Sequence, residues 1–130
     1  MKRHEAILIF MILIAFSLII SCKPAPTAEP LNPPEWIRGT WADDLMNPTL
    51  SYTFTSDNVV YAISGMSMDF RQTNEALVGT KYGYFDSTPD AKTYLIELRS
   101  SGITLQYLFE QINTTTLDYT AVGGTIQLYK

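Results

Sequence analysis

An all-β domain of short antiparallel strands is the fold class this sequence predicts, and three observations predict it. Apolar and polar residues alternate with a period of two along most of residues 51–129, which places every second side chain on a buried face. Two or three turn-forming residues separate the alternating runs, among them Ser56-Asp57, Ser100-Ser101-Gly102, Asn113-Thr114 and Gly123-Gly124, a composition suited to tight hairpins. No stretch in this region sustains the 3.6-residue period of a long helix. About eight short strands connected in this way close into a small up-and-down β-barrel or stack as a β-sandwich.

Taken in order, the alternation places Tyr52 and Phe54 on one face of residues 51–55, and Val59, Tyr61 and Ile63 on one face of 58–64. Residues 67–72 and 81–86 are weaker strands, and 71–80 reads as a loop or a short helix. The pattern then sharpens. Tyr94, Ile96 and Leu98 alternate with Thr93, Glu97 and Arg99. Ile103, Leu105, Tyr107 and Phe109 face in from 103–112, while Thr104, Gln106 and Glu110 face out. Leu117, Tyr119 and Ala121 follow in 115–122, and Ile126 and Leu128 in 125–129. Four consecutive strands from 93 to 130 therefore read as an antiparallel meander.

The N-terminus has a different organisation. Lys2 and Arg3 precede an apolar run of 15 residues, 6–20, which ends at Ser21-Cys22. That is the length of a secretory signal core, short of the roughly 20 residues a membrane-spanning helix needs. Cys22 is the single cysteine, and it stands where a signal peptidase would cut. The run Ile19-Ile20-Ser21-Cys22 resembles the lipobox of bacterial lipoproteins in its relaxed, spirochaete-type form, with Ile19 where the usual pattern has Leu. The resemblance implies cleavage after Ser21, a diacylglyceryl thioether on Cys22 and N-acylation by a chain such as palmitate. Several acyl chains hold a protein on a membrane far better than one, at roughly 0.8 kcal/mol per buried CH₂. Lys23 stands where an inner-membrane retention signal would have Asp, so the implied location is the bacterial cell envelope, with the outer membrane favoured over the inner.

Residues 22–35 follow as the lipidated Cys and a tether. Residues 23–35 hold five of the seven prolines, which favours extended chain of about 40 Å at most and predicts a segment dispensable for folding. Residues 36–130 form the single domain. Without residues 1–21 the chain carries seven Lys and Arg against twelve Asp and Glu, a net charge of −5. Such a domain has no electrostatic attraction to phosphate backbones, so no nucleic acid is expected as partner. With Cys22 lipidated, no internal disulfide forms.

The opening of the domain, Gly39-Thr40-Trp41, resembles the Gly-x-Trp signature of the first strand of lipocalins and small lipocalin-like domains. The resemblance favours the barrel over the sandwich. It implies that Gly39 and Trp41 form the structural signature, with Trp41 closing one end and a basic side chain, Lys130 or Arg99, packed on it.

Catalysis is constrained by what the mature chain lacks. The one histidine, His4, lies in the signal segment, so neither a Ser-His-Asp site nor a Cys-His site nor the usual zinc site can be assembled. Carboxylates remain: Asp43 and Asp44 beside Asn47, and Glu97 with Glu110. Neither spacing matches a calcium loop, and outward acids on strands are ordinarily solvated. The expectation is a protein that is not an enzyme, with no cofactor and no metal. Two function classes stand: an envelope interaction or structural module, and a binder of a small apolar ligand lined by Tyr52, Tyr61, Tyr94 and Tyr107. Met46, Met66 and Met68 fit either an adaptable binding surface or gaps in the core.

Overall fold

Nine strands and one helix make up the computed structural model, which describes residues 26–130; the signal segment and Cys22 lie outside the described residues. β1 (Gly39–Ala42), β2 (Leu50–Phe54), β3 (Val59–Ile63) and β4 (Met66–Asp69) lead into α1 (Phe70–Ala76). β5 (Gly83–Asp90), β6 (Thr93–Ser100), β7 (Ile103–Gln111), β8 (Thr116–Ala121) and β9 (Gly124–Tyr129) complete the chain. They form one antiparallel sheet in the order β4-β3-β2-β1-β9-β8-β7-β6-β5. The sheet curls into a half-barrel. Its two sequence halves meet at a single bridge, Ala42 with Tyr129, whereas β6 and β7 pair along their whole length.

β4 and β5 are the two free edges, and α1 lies between them. Sequence reasoning carried the strand at 67–72 too far. Asp69 ends it, because its carboxylate accepts from Gln72 N at 3.0 Å and caps the helix. A buried amide ties the other side of that junction: Asn58 Oδ1 accepts from Val59 N and Arg71 N, and its Nδ2 donates to Asp69. Strand β5, expected at 81–86, starts at Gly83 and runs to Asp90. It passes Pro89 with a register irregularity between Ser87 and Asp90, which a ladder tolerates on an edge strand.

The proline-rich segment also departs from expectation. Leu31 is 3% exposed, Pro33 is fully buried, and Asn32 N donates to Asp86 Oδ2 at 2.7 Å. The folded unit thus begins at Leu31 and not at Trp36, because one leucine in the tether finds an apolar seat. A 3-10 turn at Glu35–Ile37 then tucks Ile37 under β1, and Trp41 Nε1 donates to Ile37 O at 2.6 Å.

Trp41, Phe54, Val59, Phe109, Leu117 and Leu128 are buried on the concave face. Each such side chain removed from water contributes roughly 1.5 to 3 kcal/mol. Phe54 and Phe109 meet edge to face across the interior, centroids 5.1 Å apart, the arrangement that ring quadrupoles favour.

Candidate functional site

Antiparallel order sorts the connections onto two ends of the half-barrel. The β2–β3, β5–β6 and β7–β8 turns lie at one end, and the β1–β2, β3–β4, β6–β7 and β8–β9 connections at the other. Burial of the concave face changes steadily between them. Along β7, Phe109 is 0% exposed, Tyr107 and Leu105 are half-buried and Ile103 is 60% exposed. On β9 buried Leu128 gives way to exposed Ile126, and on β4 Met66 reaches 70% exposure. One end is packed shut; the other leaves an apolar concave surface open.

The closed end carries the signature residues. Lys130 Nζ lies 5.4 Å from the Trp41 ring centroid and donates to Arg38 O. Gly39 makes room for that side chain: its φ is +115°, and a Cβ there would stand 2.8 Å from Lys130 Cε. Of the two basic candidates, Lys130 therefore occupies the place on Trp41. Arg99 is elsewhere, its guanidinium 4.3 Å from the Phe85 ring on the convex face.

Between the two ends lies a layer of phenols. Tyr52 Oη donates to Tyr119 Oη at 2.8 Å, and the Tyr52 ring touches Tyr61 and Tyr119, centroids 5.0 Å apart in each case. Burial, then the neighbouring hydroxyls of Tyr119, Tyr61 and Tyr107, push the Tyr52 pKa up. Burial raises Tyr84 to about 12, helped by Tyr107 and Tyr61. Tyr107 and Tyr119 are raised as well, burial again first. Tyr84 Oη also donates to Met68 Sδ at 2.8 Å. Five phenol heads thus converge, and all four groups with shifted values stay neutral beyond the ordinary range. Above this layer the inward positions, such as Ile63, Leu98, Leu105, Ala121 and Ile126, carry no charge. The surface suits uncharged, apolar matter with an occasional hydrogen-bonding group.

The four tyrosines named from sequence do not act alike. Tyr52, Tyr61 and Tyr107 belong to this layer, Tyr52 with its ring buried in the packing. Tyr94 stands apart and is fully buried, donating to Asp86 Oδ2 at 2.7 Å. Burial, then that bond, raises its pKa. Sequence reasoning missed Tyr84 and Tyr119 as members. Tyr119 was in reach, since it alternates inward with Leu117 and Ala121. Tyr84 follows a helix and loop with no period of their own, so no pattern pointed to it.

The carboxylate candidates are engaged or separated. Glu97 accepts from Arg99 and Gln106, which lowers its pKa, while Glu110 lies farther along β7, opposite Thr93. Asp43 Oδ1 accepts from the backbone of Asp44, Thr49 and Leu50, and Asp44 Oδ1 from Met46 and Asn47. They build the β1–β2 loop. Among the described residues no three His, Cys, Asp or Glu side chains are placed to share a metal ion. Two surface hollows, of about 270 and 400 Å³, flank α1 beneath residues 27–29, and a third of about 390 Å³ lies over β7 and β8 near Thr104 and Thr120. Tyr52, Tyr94 and Tyr107 line none of these three. No protein-family model, no curated protein and no solved structure matches the chain.

Proposed function

We propose that residues 22–130 constitute a lipid-anchored lipoprotein of a bacterial cell envelope, held by acylated Cys22, whose domain is a binding module and not an enzyme. The open end of the half-barrel is its working surface. One observation carries this reading: the apolar concave face becomes steadily more exposed toward that end, where a domain built only for stability would cover it. The outer membrane is the favoured location, from Lys23 beside the anchor.

Fractionation of cells expressing the full chain tests the anchor. The wild type is expected in the membrane fraction with acyl mass on its N-terminal peptide, and Cys22→Ala is expected without acyl mass, as a soluble or unprocessed chain. A processed Cys22→Ala chain that remains wholly on membranes overturns the lipoprotein reading.

A second reading has its own support, the neutral phenol layer beneath the opening. On it, a small uncharged ligand with an apolar body rests on the hydroxyls of Tyr61, Tyr107 and Tyr119. Titration with an environment-sensitive apolar dye is expected to saturate, with Tyr107→Phe weakening it. Linear, unsaturable dye uptake removes this reading.

A further inference from the structure

Five exposed apolar side chains crown the open end, and they come from four separate connections. Leu45 and Met46 stand on the β1–β2 loop, Met66 at the β3–β4 turn, Ile103 at the β6–β7 turn and Val122 at the β8–β9 turn, with Met46 at 93% and Val122 at 79% exposure. The Asp43 and Asp44 carboxylates pin the loop through bonds to five backbone N–H groups, and the pinned loop presents Leu45 and Met46 outward. At the opposite end the exposed large apolar side chains among the described residues are Ile112 at 49% and Tyr129 at 37%.

The N-terminal segment leads to the same end. From Asn32, bonded to Asp86 in mid-β5, it runs back beside α1, whose Phe70 follows the closed-end terminus of β4 and whose Asn74 reaches Tyr84 near the open-end start of β5. Pro26 lies beyond the helix, its Cγ 3.7 Å from where a Cβ on Gly79 would be. Cys22 is four residues farther, within about 14 Å of Pro26 even if fully extended.

We infer that the open end faces the leaflet that carries the Cys22 lipids and inserts its apolar crown into it. The inference rests on the lipoprotein reading. A link this short brings the crown to the lipid surface before any other partner. It also gives an effective concentration in the millimolar range, so weak intrinsic affinity suffices. The net charge of −5 on residues 22–130 makes attraction to anionic headgroups an inadequate alternative, and burial of the crown supplies the contact in its place.

The methionines provide the test, because Met46, Met66 and Met68, all on this end, are the only ones after residue 21. The full lipidated chain, carrying Ile112→Met as a reporter at the far end, is placed in phosphatidylcholine vesicles and treated with peroxide. Free in water, Met46 and Met66 are more exposed than position 112 and would oxidise first. Docked, they are expected to oxidise at least about fivefold more slowly than the reporter. Leu45→Asp with Val122→Asp, both at exposed positions, is expected to restore fast oxidation while the chain still sediments with vesicles. Sedimentation with fast Met46 and Met66 oxidation overturns the inference and leaves the anchor standing. A chain that neither sediments nor carries acyl mass overturns both. Protection seen only in native envelope membranes, and not in pure lipid, assigns the crown to a protein partner and overturns lipid docking.

Discussion

The side-chain amide of Asn74 brackets the backbone of Tyr84, accepting from its N at 2.7 Å and donating to its O at 2.9 Å. A helix residue thereby takes the place of a strand on the free edge of β5. Gly83 lets it approach: with φ at +127°, a Cβ there would stand 2.7 Å from Asn74 Oδ1. On that edge of β5 one side chain stands in for a ladder pair, and the gap to β4 is filled by α1, with Phe70 stacked on Tyr84 and Tyr84 Oη bonded to Met68 Sδ.

Asn74→Ala is therefore expected to cost about 2 to 3 kcal/mol, two backbone bonds and the exposure of an edge. Gly83→Ala is expected to cost a similar amount through strain and clash. Denaturant unfolding measures both, and the double variant is expected to lose less than the sum, since the two act on one contact. Full additivity would mean that they act separately.

Trp41→Ala is expected to destabilise by about 3 to 5 kcal/mol as a large-to-small change in a packed site. Lys130→Ala removes a cation over the ring and is expected to cost only about 1 kcal/mol. Lys130→Arg, which keeps the charge, is expected to recover part of it. An equal loss in both Lys130 variants would assign the effect to the bond with Arg38 O.

Shortening the chain to begin at Trp36 is expected to lower stability by roughly 2 to 3 kcal/mol, the burial of Leu31 and its neighbours, or about 10 °C in melting temperature for a domain this size. Leu31→Ala in the full-length chain is expected to reproduce most of that loss. Beginning at Pro30 is expected to change little.

The phenols predict the alkaline limit. Tyr52, Tyr84, Tyr94, Tyr107 and Tyr119 all have pKa values raised above the ordinary 10.0, Tyr84 to about 12. A raised folded value means that the folded state holds its proton more tightly. Its stabilisation is whole below pH 10 and is lost as pH climbs from there toward the folded value. Phenolate absorbance is expected to lag behind that of the denatured chain and then to rise together with unfolding. Tyr52→Phe, with its hydroxyl gone, is expected to shift that rise to higher pH. The acid side works in the opposite sense. Asp69 is held below the ordinary 3.8, chiefly by Gln72 N and also by Asn58 and Arg71, so its helix cap is whole above that value and fades as pH falls through the lower one.

The sequence by itself determined the strands and their inward faces, because a period of two is a local property that any sheet must respect. Tyr52, Phe54, Ile96, Phe109, Leu117 and Leu128 could be assigned inward from their neighbours alone. The meander from β6 to β9 followed too, since each hairpin is specified by the few residues at its turn. Only the tertiary structure decided how the sheet ends. Asn58 and Asn74 are ordinary polar residues in sequence, and their roles exist only because the curl brings distant backbone to them. The same holds for the layer of five phenols, drawn from β2, β3, β5, β7 and β8, and for the crown on four connections. Leu31 in the proline-rich segment belongs to this class: nothing local marks its seat, which the distant core residues supply beside the Asn32 bond to Asp86 on β5. Periodicity reports which face a side chain takes, while register and curvature, summed over the whole sheet, decide which faces meet.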